Sequence, residues 1–155
     1  GVPAFYLPAL LASENDIKNF SMTGQRRDLN REKFKSDNLL SVLNNPESNA
    51  NKNLKYLRNA MDVRSELKQF HPCSEMKCLS KGRSDIVVIK RGIGPKSIFA
   101  IHNMTENKIN YQLNDNDLPQ IIDNDFNMRD FLASTKYNWK NISLDPFQVI
   151  WLGAL

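Results

Sequence analysis

Apolar positions along this chain change their period once. Over residues 1–70 they come first as an unbroken run and then at helical spacing; from about residue 76 onward they alternate or fall in short runs. Val2 to Leu7 contains no charged residue and no alternation, the pattern of a strand buried on both faces in a parallel sheet or barrel. Ser13, Glu14, Asn15 and Asp16 follow, and Ser13 or Asn15 is placed to cap a helical turn. A helix is predicted over residues 36–43, where Leu39, Leu40 and Leu43 share a face. The strongest helical pattern covers residues 48–68: Leu54, Leu57 and Met61 form one stripe, and Ala60, Val63 and Leu67 form the next. That width suits a helix lying over a sheet and touching two neighbours. Arg58, Asp62, Arg64, Glu66 and Lys68 fall on or near its solvent side, and Pro72 closes the segment.

Residues 85–90 and 97–103 predict two strands joined by a loop holding Gly92, Gly94 and Pro95. Residues 108–113 alternate, with Ile109, Tyr111 and Leu113 against Lys108, Asn110 and Gln112. Residues 114–124 are rich in Asp and Asn and predict a loop. Two further strands are expected at 128–133 and 146–152, the second alternating Phe147, Val149 and Trp151 with Gln148, Ile150 and Leu152. The chain therefore divides into an α/β piece, residues 1–70, and an antiparallel β domain, residues 71–155.

Composition narrows the classes of function more than it selects one. With 155 residues, 41% hydrophobic and 25% charged, the chain can bury one core or two small ones. The net charge of +4 raises the question of an acidic partner. The densest basic stretch, Arg26, Arg27, Arg31, Lys33 and Lys35, is broken by Asp28 and Glu32, and no nucleic-acid-binding motif accompanies it, so a nucleic-acid partner is not expected. The opening apolar run is too short to cross a bilayer and has no basic leader, so no membrane association is expected. Because the chain opens on Gly1 within that run, it reads as cut from something longer. Cys73 and Cys78 are too few for a disulfide scaffold or a structural zinc, and a cytoplasmic setting is expected. No glycine-rich phosphate loop, serine elbow or metal-binding His pair occurs, and neither cofactor nor metal is expected. Asn103-Met104-Thr105 and Asn141-Ile142-Ser143 match the glycosylation acceptor pattern.

Several blocks then line up in order. Gly1-Val2-Pro3-Ala4-Phe5-Tyr6, Leu10-Leu11-Ala12, Asn15-Asp16, Thr23-Gly24 and Arg27-Asp28-Leu29-Asn30-Arg31 resemble the eighth barrel strand and following loop of the sucrose phosphorylases, within glycoside hydrolase family 13, the α-amylase family. Downstream, Val63-Arg64, Phe70-His71-Pro72, Val87-Val88, Phe99-Ala100-Ile101, Asn103-Met104-Thr105 and the closing Leu144-Asp145-Pro146-Phe147-Gln148-Val149-Ile150-Trp151-Leu152 resemble the branch with glucosylglycerate and sucrose 6-phosphate phosphorylases.

The resemblance implies a fold and a chemistry. The fold is the last strand and helices of a (β/α)8 barrel, followed by a C-terminal antiparallel β domain, with the rest of the barrel upstream. The chemistry is a retaining double displacement: an Asp attacks the anomeric carbon of a small α-glucoside, a Glu protonates the leaving oxygen, and inorganic phosphate releases α-glucose 1-phosphate. In retaining enzymes the two carboxyl groups stand roughly 5 Å apart. The resemblance places both before the eighth strand, so no catalytic residue is expected here and the chain alone is expected to be inactive. Asp16, Asp28 and Glu32 read as capping or solvated groups.

Arg27 matches the arginine that reaches the glucose pocket in sucrose phosphorylases and pairs with an aspartate of an early barrel loop. A guanidinium fork can hold a carboxylate and still donate to sugar hydroxyls. Asn30 and Arg31 complete the same motif as candidate substrate-binding residues. On composition alone Arg27 reads as a surface arginine. His71 and His102 read as structural, Trp151 as core, and Trp139 as an open candidate for a sugar-stacking platform. The competing reading is a stand-alone carbohydrate-binding or assembly β module, which predicts a row of exposed aromatics on one sheet.

Overall fold

In the computed structural model of the chain, the described residues are 3–30, 32–118 and 127–154. They form two compact units, Val2–Asp62 and Val63–Leu155.

The first unit is helical. After Pro3–Tyr6, which is irregular, come α1 (Leu7–Leu10), α2 (Ile17–Thr23), α3 (Ser36–Asn44) and the start of α4 (Asn49–Glu66). Of the strand expected over residues 2–7, the described residues 3–7 form none. Strand geometry needs ladder partners for its N–H and C=O groups, and no described residue of this unit is in a strand. Leu7 opens α1 instead, with Pro8 in its first turn, and Phe5, Tyr6 and Leu7 stay about half exposed.

Capping sets the helix starts. Asp16, one residue past the expected Asn15, accepts the N–H of Asn19 at 2.9 Å and caps α2, while Gly24 at φ +65° ends it. Ser48 accepts the N–H of Asn51 at 3.1 Å at the start of α4, and its hydroxyl also bonds Val42 O at the end of α3. Asn53 of α4 donates to the carbonyls of Ala9 and Leu10, which fixes α1 alongside it. The broad apolar face of α4 is present, yet Leu54, Leu57, Ala60 and Met61 are only half-buried, and Ala50 is its one fully buried side chain.

The second unit is a two-layered antiparallel β structure. Its strands are β1 (Met76–Cys78), β2 (Ile86–Arg91), β3 (Ile98–Asn103), β4 (Ile109–Tyr111), β5 (Asn127–Asp130), β6 (Lys136–Asn138), β7 (Ile142–Leu144) and β8 (Val149–Gly153). Six of them make one sheet in the order β1-β2-β3-β8-β5-β6, and β4 pairs with β7 in a second. Val88 sits opposite Ile101, and Ile101 opposite Ile150, so one apolar row crosses three strands. With Ile86, Phe99, Met128, Leu152, Leu113, Ile142 and Leu144 this row forms the core. Burying each such side chain contributes roughly 1.5–3 kcal/mol before conformational entropy is counted.

The expected hairpin of residues 85–90 and 97–103 is present as β2 and β3, and the 108–113 strand as the shorter β4. The strand expected over 128–133 stops at Asp130, whose carboxylate accepts the N–H groups of Leu132 and Ala133 and turns the chain. The one expected from residue 146 begins only at Val149. Part of the loop expected over 114–124 lies outside the described residues; Asp115–Asp117 within it is one 3-10 turn.

The other face of the six-stranded sheet carries the segment that follows α4. Phe70 packs on Trp151 with ring centroids 4.5 Å apart, and the buried guanidinium of Arg91 donates to the carbonyls of Gln69 and His71. Lys77 and Lys90 both hold Asp117, through its carboxylate at 2.6 Å and its carbonyl at 2.5 Å.

Candidate functional site

The Arg27 motif lies on a loop whose backbone is pinned at both ends. Gly24 ends α2, Thr23 accepts the N–H of Gln25, and Arg26–Asp28 forms a 3-10 turn closed by Asp28 N–H to Gln25 O at 2.9 Å. Leu29 O then accepts the N–H of Asp16 at 2.6 Å, which ties the end of the turn back to the start of α2. The turn thus presents Arg27 and Asn30 outward, and both are exposed. Arg31 lies outside the described residues. A side chain held out by a rigid turn can be aimed at a ligand without ordering the loop on binding.

Asp16 is committed to its cap, and Asp28 is half-buried within the 3-10 turn. Beside the loop lies a cavity of about 450 Å³ lined by Leu11, Phe34, Leu39 and Val42, with Ser13 and Lys35. Arg27 and Asn30 are not in its wall.

Elsewhere the candidate residues fall into structural places. Trp139 is 4% exposed and belongs to the core, so the sugar-platform reading of this residue is overturned: its ring is covered, with the Lys140 ammonium 5.1 Å from its centroid. Trp151 is half-buried against Phe70. His71 is exposed and accepts the N–H of Cys73. His102 is partly buried on β3, and burial holds its pKa below the usual histidine value. Cys73 and Cys78 are free thiols. Among the described residues no three His, Cys, Asp or Glu side chains gather closely enough to hold a metal ion, and no helix is long and apolar enough to cross a membrane.

The first glycosylation-pattern match has a local explanation. Asn103 is 2% exposed; its amide donates to Asn107 O at 2.7 Å and Asp145 O at 2.8 Å, while its oxygen accepts from the N–H and hydroxyl of Thr105. Asn-x-Thr is here an Asx turn with every polar atom engaged. Asn141 of the second match is exposed.

No family profile matches the chain. Two curated proteins do match over 152 residues, 98% of the chain: the glucosylglycerate phosphorylase of Allomeiothermus silvanus at 28% identity and that of Escherichia coli at 22%. The likeness is to the phosphorylase branch that the sequence blocks resemble. The chain spans about a quarter of those relatives, 24% and 25% of their lengths. Among solved structures, a trehalulose synthase matches with a TM-score of 0.55 at 13% identity, over 73% of this chain and 19% of that one. An Anoxybacillus alpha-amylase matches with a TM-score of 0.53 at 15% identity, over 72% of this chain and 24% of its own. These likenesses show the fold alone: the end of a (β/α)8 barrel followed by an antiparallel β domain.

Proposed function

We propose that the chain is the C-terminal part of a retaining α-glucoside phosphorylase, and that it lends the glucose pocket a wall rather than the reacting groups. The observation that carries this reading is the match of nearly the whole chain to proteins named glucosylglycerate phosphorylase. In this reading the nucleophilic Asp and the acid Glu lie in the part of the enzyme that this chain does not cover.

Within that enzyme Arg27 faces the glucosyl unit, with Asn30 and Arg31 shaping the loop. The resemblance of Arg27-Asp28-Leu29-Asn30-Arg31 supports the role, and so does the pinned turn that holds the side chain out. The guanidinium anchors a carboxylate from an early barrel loop and donates to a sugar hydroxyl, which closes the pocket behind one terminal glucose. The substrates are a small α-glucoside and inorganic phosphate. Phosphorolysis keeps the glucosyl bond energy as a charged sugar phosphate, a product useful where it is retained, and we place the enzyme in the cytoplasm.

The test is made on the full-length protein. Incubation with glucosylglycerate or sucrose and inorganic phosphate is expected to release α-glucose 1-phosphate; free glucose alone identifies a hydrolase and overturns the phosphorylase reading. Arg27→Lys, which keeps the charge and loses the fork, is expected to lower kcat/KM by about 10²-fold, in the range of a lost positioning contact. An unchanged kcat/KM removes Arg27 from the pocket.

A further inference from the structure

Phe147 is held in the left-handed region at φ +54° with its ring 66% exposed. Both features cost free energy: a bulky residue at positive φ is sterically strained, and an exposed phenyl keeps its apolar area in water. The surrounding turn enforces the strain. Phe147 N–H donates to Thr105 O at 3.0 Å, Gln148 N–H to Asp145 O at 3.1 Å, and Asp145 N–H to the Gln148 side chain at 2.8 Å. Asn103, saturated as described, ties Asp145 O to the neighbouring turn, from which Met104 projects 54% exposed.

Two apolar side chains therefore sit on adjacent, fully bonded turns at one end of the six-stranded sheet. Persisting strain that the fold over-determines points to use of the residue that bears it. The patch is small, two side chains, well short of the roughly 800 Å² per partner that a stable protein interface covers. Asp145 and Lys108, paired at 3.3 Å and both well exposed, offer an acceptor and a donor on the same turns.

The geometry points to a surface site for a single pyranose ring stacked on Phe147 and Met104, with its hydroxyls reaching Asp145 and Lys108. A pyranose has an apolar C–H face and a rim of hydroxyls, which matches one exposed ring beside one donor and one acceptor. This site lies in the β unit.

The experiment titrates the full chain with methyl α-glucoside and with sucrose, following ¹⁵N and ring ¹H shifts by NMR. Expected are saturable shifts centred on residues 103–108 and 145–148, with a Kd in the millimolar range, weakened at least tenfold by Phe147→Ala and retained by Phe147→Trp. A near-UV and thermal comparison shows both variants folded, since the side chain removed is exposed. Absence of saturable shifts overturns the site, as does binding that Phe147→Ala leaves intact. Concentration-dependent self-association abolished by Phe147→Ala also overturns it, by identifying the patch as a contact between copies. Because the readout is binding and not turnover, its failure leaves the phosphorylase reading standing.

Discussion

The carboxylate of Asp130, on β5, accepts the backbone N–H of Trp151, on β8, at 2.9 Å. The same oxygen takes the N–H of Leu132 and the other takes that of Ala133, so one side chain closes a turn and joins two strands. At 1% exposure this carboxylate has exchanged water for three backbone donors.

Asp130→Ala would remove the acceptor shared by the N–H groups of Trp151 and Leu132, which are half-buried, and of Ala133, which is exposed. A buried donor left unsatisfied costs about 1–3 kcal/mol; because water reaches Ala133 and part of the other two, the expected total loss is about 1–3 kcal/mol, read as a fall in the urea midpoint of unfolding. Asp130→Asn keeps one oxygen for Trp151 and Leu132 but turns an amide donor toward Ala133 N–H, and is expected to fall between the two. Equal stability of Asp130→Ala and the parent chain would show that water replaces the carboxylate.

Asn103 gives a charge-specific version of the same test. Its amide nitrogen donates to two carbonyls, so Asn103→Asp points a carboxylate at both. The isosteric Asp is expected to destabilise at least as much as Ala, by about 2 kcal/mol or more. Denaturation of the two variants side by side decides it: an Asp variant as stable as the parent means that the two carbonyl bonds contribute nothing.

Gly153, the last residue of β8, is required by space, not by backbone angle. A Cβ there would lie 2.7 Å from Ile98 Cδ1 and 2.7 Å from Phe131 Cε2. Gly153→Ala is expected to cost about 1–3 kcal/mol through overpacking. Trimming a neighbour with Ile98→Val should recover part of the loss, and a double-mutant cycle measures that coupling.

Long patterns were readable from sequence, and partner-dependent ones were not. β2 and β3 announce themselves because Val87-Val88 and Phe99-Ala100-Ile101 sit in six-residue strands flanked by glycines. β1, β6 and β7 are three residues each, Met-Lys-Cys, Lys-Tyr-Asn and Ile-Ser-Leu, too short to show a period, and exist because a neighbour supplies the ladder. The reverse holds for Val2 to Leu7, whose apolar run needs flanking strands to become one. Phe147 looked like a strand position because it alternates with Val149 and Trp151, but the Asp145–Gln148 turn captures it first. Arg27 was singled out by its motif alone: nothing in spacing distinguishes a pocket arginine from a solvated one.

The pH response of the β unit follows from His102. It lies on β3 opposite Val87 of β2 and Val149 of β8, and burial lowers its pKa below the ordinary 6.5. Desolvation penalises the charged imidazolium, so the folded chain keeps this ring neutral at pH values where the unfolded chain protonates it. The unfolded state therefore binds more protons below about pH 6.5, and stability falls as pH drops through that value and on toward the lower folded pKa. Above it both states are neutral and this contribution is flat. Unfolding midpoints measured from pH 8 to pH 5 are expected to decline below pH 6.5 in the parent chain. His102→Gln, which does not titrate, should remove that part of the slope whatever its own stability at pH 8. An identical slope in the variant would assign the acid sensitivity to the carboxylates instead.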